Sequence, residues 1–226
     1  MQIKEFVRKL GPTQNKKTLI VCLLYMDYVN RFGNGDGNLV DCAHNLMQYS
    51  LRPLRDTTKA DCQTFLQSLS LEKEEYPEVV LELLNIHDNY EGFSTPSLAE
   101  LVARILEIKS SDSVFDLGSG YGNFLVAVSS LNRDQAIRPA LYGQEINVEA
   151  YNVSCMALTM CGANYHIQNI NSIENAKCPA FTKGYVFPPF AIQFDRSASD
   201  QFKFLGEDLF VPKTSSEWLF VFTALG

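Results

Sequence analysis

The chain has 226 residues, 46% hydrophobic and 20% charged, with a net charge of −7 and a pI near 5.0. This is ordinary globular composition, enough for one large domain or a medium one with a smaller companion. The acid excess makes this chain alone a poor duplex binder, because grip on DNA normally comes from clustered Lys and Arg that neutralise phosphates.

The longest apolar run, TLIVCLLYMDYV, is too short for a membrane span and is broken by Asp27. The opening MQIKEFVRKLG lacks the apolar core and cleavage site of a secretory signal. Six cysteines (Cys22, Cys42, Cys62, Cys155, Cys161, Cys178) are scattered without a CxxC pair. A reduced, cytoplasmic protein with no membrane partner is expected.

Residues 1–90 read as a helical subdomain. NKKTLIVCLLYMDYVNRF is a helix that ends at the breaker cluster GNGDGN. LVDCAHNLMQYSL, KADCQTFLQSLSL and YPEVVLELLNIHD follow with apolar residues near helical spacing. Thr58 or Asp61 is placed to cap the third helix, and Pro77 suits the first turn of the fourth. GNGDGN lacks the ligand alternation and terminal Glu of a calcium loop, so no metal is expected there.

Residues 91–226 change pattern. STPSLAELVARILEI is an amphipathic helix with Ser94 or Thr95 as cap and Pro96 at its first position. SVFDLGSG is a strand and turn, YGNFLVAVSSLN a helix, ALYGQEI a strand and NVEAYNVSCMALTMCG a helix. YHIQNINSI and KGYVFPPF read as two further short strands. The alternation predicts an α/β fold of Rossmann-like type, a parallel sheet covered by helices.

VFDLGSGYGNF carries the most chemistry. A strand ends at Asp116, and Gly118, Gly120 and Gly122 turn the chain into a helix. Open α/β sheets bind nucleotides at such a place, since ligands lie beyond the carboxyl ends of the strands. Glycines let the backbone approach, and helix N–H groups stabilise negative charge. Dinucleotide folds favour GxGxxG, whereas this spacing is GxGxG after an acid, which resembles motif I of S-adenosylmethionine (SAM)-dependent methyltransferases. Glu145, ending LYGQE, is placed to accept hydrogen bonds from ribose hydroxyls, a role an NAD site would also require.

In order along the chain, GFSTPSLAELVARIL, VFDLGSGYGNF, LYGQEIN and VFPPF resemble the adenine-specific DNA methyltransferases, particularly the modification subunit of type I restriction–modification systems. The resemblance covers roughly residues 90–226, and the helical front is similar to that subunit's N-terminal region in size and character. It implies SAM as cofactor, with Thr95 and Pro96 at the methionine end. Asp116, Gly118, Gly120 and Gly122 would form the floor, Glu145 would hold the ribose, and Asn171 would stand where the family usually has an acid against the adenine. It also implies DNA as substrate, reached only in complex with a specificity subunit or other protein.

In that family the catalytic loop reads Asn/Asp-Pro-Pro-Tyr/Phe. The prolines stiffen it, the amide or acid accepts from the target amino group, and the aromatic stacks on a flipped base. Pro188, Pro189 and Phe190 match, but the acceptor position is Phe187. A phenyl ring cannot accept that hydrogen bond and is larger than Asn, so the chain is expected to be a poor methyltransferase by itself. A complete methyltransferase sheet would need about three more strands, ~60 residues at usual element lengths. An incomplete sheet with an open strand edge is therefore expected, with association as homodimer or heteromeric restriction–modification assembly as its remedy.

Cys155, Cys161 and His166 lack the spacing of a zinc site, and the cysteines fall on an apolar helix, so core packing is expected. His44 and His87 are read as structural, and EKEE and GED as solvated faces. Two rival readings remain: a catalytically inactive SAM-binding or scaffold protein, and an NAD-binding oxidoreductase.

Overall fold

The computed structural model describes residues 5, 56–68, 80, 84, 94–174, 179–188 and 217–225. The first two predicted helices, GNGDGN, His44, His87, Pro189 and Phe190 lie outside the described residues.

Helix α1 (Asp56–Ser68) starts upstream of its predicted caps, so Thr58 and Asp61 lie within it. Val80 and Leu84, one helical turn apart, are helical and essentially fully buried. Together with Cys62 they join the same hydrophobic core as the α/β elements. These three residues thus share one core with the sheet and its helices.

Helix α2 (Pro96–Ile105) is capped by Thr95, whose side chain accepts from the Leu98 N–H at 3.3 Å. Its Ala99 and Ala103 are buried. It stops before the predicted Ile108 because Glu107 takes a left-handed φ of 47°, which breaks the helical ladder.

Four strands follow: β1 (Ser113–Leu117), β2 (Ala140–Gln144), β3 (Asn164–Gln168) and β4 (Lys183–Val186). They form one parallel sheet in the order β3-β2-β1-β4. Helices α3 (Asn123–Leu131) and α4 (Val148–Met160) make the first two crossovers, and α5 (Glu217–Leu225) packs beside β4. The chain progresses β1, β2, β3 in one direction, then returns to set β4 on the other side of β1. This reversal opens a crevice at the carboxyl ends of β1 and β4, where α/β sheets bind ligands.

The core explains why these elements hold. Asn123 through Ser129 of α3 are all buried, as are most residues of α4. Phe124 stacks on Tyr185 of β4 with ring centroids 4.2 Å apart, pinning α3 to the switch point. Arg138 donates to the carbonyls of Cys161 and Gly162 at 2.8 and 2.7 Å, satisfying the C-terminal end of α4. Cys155 and Cys161 are buried in this core, and burial pushes the Cys161 thiol up to about 12. Among the described residues no helix is long and apolar enough to cross a membrane.

Candidate nucleoside-binding site

The glycine turn forms because only glycine accepts its backbone cheaply. Gly118, Gly120 and Gly122 have φ of 79°, 55° and 82°. Gly122 is constrained twice, since a Cβ there would lie 2.7 Å from Ser154 Oγ on α4. The N–H groups of Gly118 and Ser119 both donate to the Gln144 carbonyl, at 3.0 and 2.9 Å, which ties the turn to the end of β2. Gly122 caps α3 without a side-chain hydrogen bond, so the helix N-terminus keeps donors for a ligand.

Glu145 follows β2 and is 9% exposed. Its Oε2 accepts from the Gly120 N–H at 2.8 Å and its Oε1 from the Asn147 N–H at 2.7 Å. The carboxylate therefore holds the turn in shape, and with about four acceptor sites it retains capacity for two hydroxyl donors. Burial raises its pKa above the ordinary carboxylate value, opposed by these backbone donors. Asn169, just after β3, donates to the Glu145 and Ile146 carbonyls at 2.7 and 3.2 Å and fixes the loop from below. Tyr121 reaches from the turn to Glu149 on α4, donating at 3.0 Å.

On the other side of β1 the surroundings differ. Asp116 is 3% exposed, and its pKa is pushed well up by burial, then by the Glu145 charge. Parallel pairing sets Asp116 against Tyr185 and Leu117 against Val186, so Phe187 emerges level with Gly118. Ser94, Asp116, Gly118, Ser119, Gly120, Tyr121, Asn123, Tyr185 and Phe187 enclose a cleft of about 10 Å³, room for one water molecule. Phe187 packs against the core at its edge, and Phe220 of α5 lies next to Gly118. An adenosine enters only if this aromatic wall moves. The residues nevertheless suit a polar ligand: Ser119 Oγ and Asn123 Oδ1 are buried there with no hydrogen-bond partner among the described residues.

The structure thus brings Asp116, Gly118, Gly120 and Phe187 together at one cleft, with Glu145 joined to it through Gly120. Thr95 turns away to cap α2, and Pro96 begins that helix; Ser94 is the residue that faces the cleft. Gly122 acts through α4 packing. Asn171 lies in the turn after β3, where its Oδ1 accepts from the Ile173 N–H at 3.1 Å. Pro188 is described and half-buried. As cleft residues Ser94, Asn123 and Tyr185 carry no sequence signal, because only the packing of α2 on α3 and the strand order bring them together.

A parallel sheet with its switch point between β1 and β4, a glycine turn after β1 and an acid after β2 define a Rossmann-like methyltransferase fold. A model of the N-6 DNA methylase family matches residues 84–226, well over half of the chain, and the chain belongs to that family. The methylase subunit of the type I restriction enzyme MpnII from Mycoplasma pneumoniae is 31% identical over 99 residues, 42% of this chain and 18% of that protein. A type I restriction–modification methyltransferase subunit from Streptococcus thermophilus has a similar structure, with a TM-score of 0.60 and 18% identity over 75% of this chain and 40% of the other. A protein from Listeria monocytogenes, described as a class I SAM-dependent methyltransferase, superposes with a TM-score of 0.59 at 14% identity, over 93% of this chain and 70% of that one. The chain therefore spans less than half the length of the two type I relatives.

Proposed function

We propose that this chain provides the SAM-binding half of an adenine-amino DNA methyltransferase of the type I restriction–modification kind, working with other subunits that grip DNA. The observation that carries the cofactor choice is buried Asp116 directly before the glycine turn, since Glu145 would serve a nicotinamide site equally. Among the described residues lining the cleft there is no Lys or Arg. A site of that sign favours a cationic nucleoside and disfavours the pyrophosphate of NAD.

When bound, the cofactor supplies a methyl group on a positively charged sulfur. Glu145 holds the ribose hydroxyls, the Gly118–Gly122 turn approaches the nucleoside, and Asp116 stabilises the cationic part. The strap at Ser94, Thr95 and Pro96 lies over the amino-acid end through Ser94, and the carboxylate of that end suits the uncapped start of α3. Asn171 offers its amide to the adenine ring. Water is excluded by Tyr185 and Phe187.

Transfer requires an acceptor for the target amino group at the mouth of β4, and this chain has Phe187 there, with Pro188, Pro189 and Phe190 beyond it. Phe187 offers no such acceptor, so the chain binds cofactor better than it methylates. The test is methyl incorporation from labelled SAM into plasmid DNA, with the chain supplied to a specificity subunit. Wild type is expected near background and Phe187→Asn clearly above it. Wild-type transfer as fast as a complete relative would refute the role given to Phe187.

A further inference from the structure

The side chain of Asn123, first residue of α3, reaches across the cleft rather than along its own helix. Its Nδ2 donates to the Ser94 carbonyl at 2.6 Å, a bond between residues 29 apart in sequence. Ser94 immediately precedes the cap of α2, so this bond, together with the packing of α2 on α3, ties the strap to the end of the glycine turn. The same side chain is 7% exposed, and its Oδ1 is fully buried with no partner among the described residues. Both residues line the cleft, as do Asp116 and Ser119. An amide that commits a donor to the strap and leaves its acceptor buried is costly to keep unless a donor, a water or a ligand group that displaces it, meets that acceptor.

The geometry points to Asn123 as a positioning residue for the amino-acid end of the cofactor: Nδ2 sets the strap, and Oδ1 receives the ligand's α-ammonium. This rests on the SAM reading above and adds to it a residue outside the glycine and acid pattern. Selectivity follows from position. Asn123 contributes to holding the amino-acid end and nothing to the nucleoside end, which Glu145 holds from the other side of β1.

The experiment is calorimetric titration of the whole chain with S-adenosylhomocysteine and with methylthioadenosine, which keeps the nucleoside and lacks the amino acid. In Asn123→Ala the homocysteine adduct is expected to bind roughly tenfold more weakly, the loss of about one charge-assisted hydrogen bond, with methylthioadenosine unchanged. Asn123→Ser, too short to span to Ser94, gives the same split if the alanine variant does not fold. Equal weakening of both ligands, no weakening of either, or unfolding of both variants overturns the inference. Wild type that binds both ligands equally well overturns it too, while leaving the nucleoside reading intact. Wild type that binds neither overturns both.

Discussion

The two flanks of β1 are built differently. Toward β2, polar groups brace one another: Glu145 clasps the glycine turn, Gln144 anchors it by its carbonyl, and Asn169 steadies the loop. Toward β4, aromatic rings close a cleft of about 10 Å³, and buried polar atoms of Ser119 and Asn123 lack partners among the described residues. One flank is thus braced by polar contacts and the other closed by aromatic rings, so the two can be perturbed separately.

The contrast between the flanks breaks most completely at Gly122. Alanine there combines a left-handed φ of 82° with a 2.7 Å approach to Ser154 Oγ. Gly122→Ala is expected to cost about 3 kcal/mol, read as a lowered midpoint in urea unfolding. Next, Glu145→Ala removes the acceptor of two backbone N–H groups and of the proposed ribose contact. It is expected to weaken S-adenosylhomocysteine roughly 30-fold by calorimetry, more than any single change on the β4 flank.

Asp116 gives a smaller effect of opposite sign. Its folded pKa is raised, so between the ordinary carboxylate value and that raised value the folded chain binds more protons than the unfolded one. Stability from this group therefore falls as pH rises through the window. Asp116→Asn is expected to raise the Tm by a few degrees near neutral pH and by less in mild acid, flattening the pH dependence while weakening cofactor binding. Asn171→Ala is the mildest: loss of the bond from the Ile173 N–H at 3.1 Å should reduce ligand affinity only a few-fold, roughly 1 kcal/mol.

Much of the β2 flank was legible in the sequence. Three glycines after Asp116 imply positive φ, which all three have, and an acid at the end of the next strand falls beside that turn, because both signals are local. The β4 flank was less legible. Tyr185 meets Asp116 only through the strand order, and Asn123 meets Ser94 only because α2 packs on α3. Thr95, expected both as a cap and at the cofactor, caps its helix by accepting from the Leu98 N–H, and Ser94 is the strap residue that lines the cleft. The strand predicted over YHIQNINSI stops at Gln168, where Asn169 spends its amide on the β2 loop instead of continuing the ladder.

Parallel titration of the unmodified chain with S-adenosylhomocysteine and with NAD tests most directly whether the acids beside that turn make a berth for a sulfur-bearing nucleoside. One saturable site per chain is expected for the former, and no measurable heat from the latter. Tight uptake of NAD, or silence from both, would contradict that assignment.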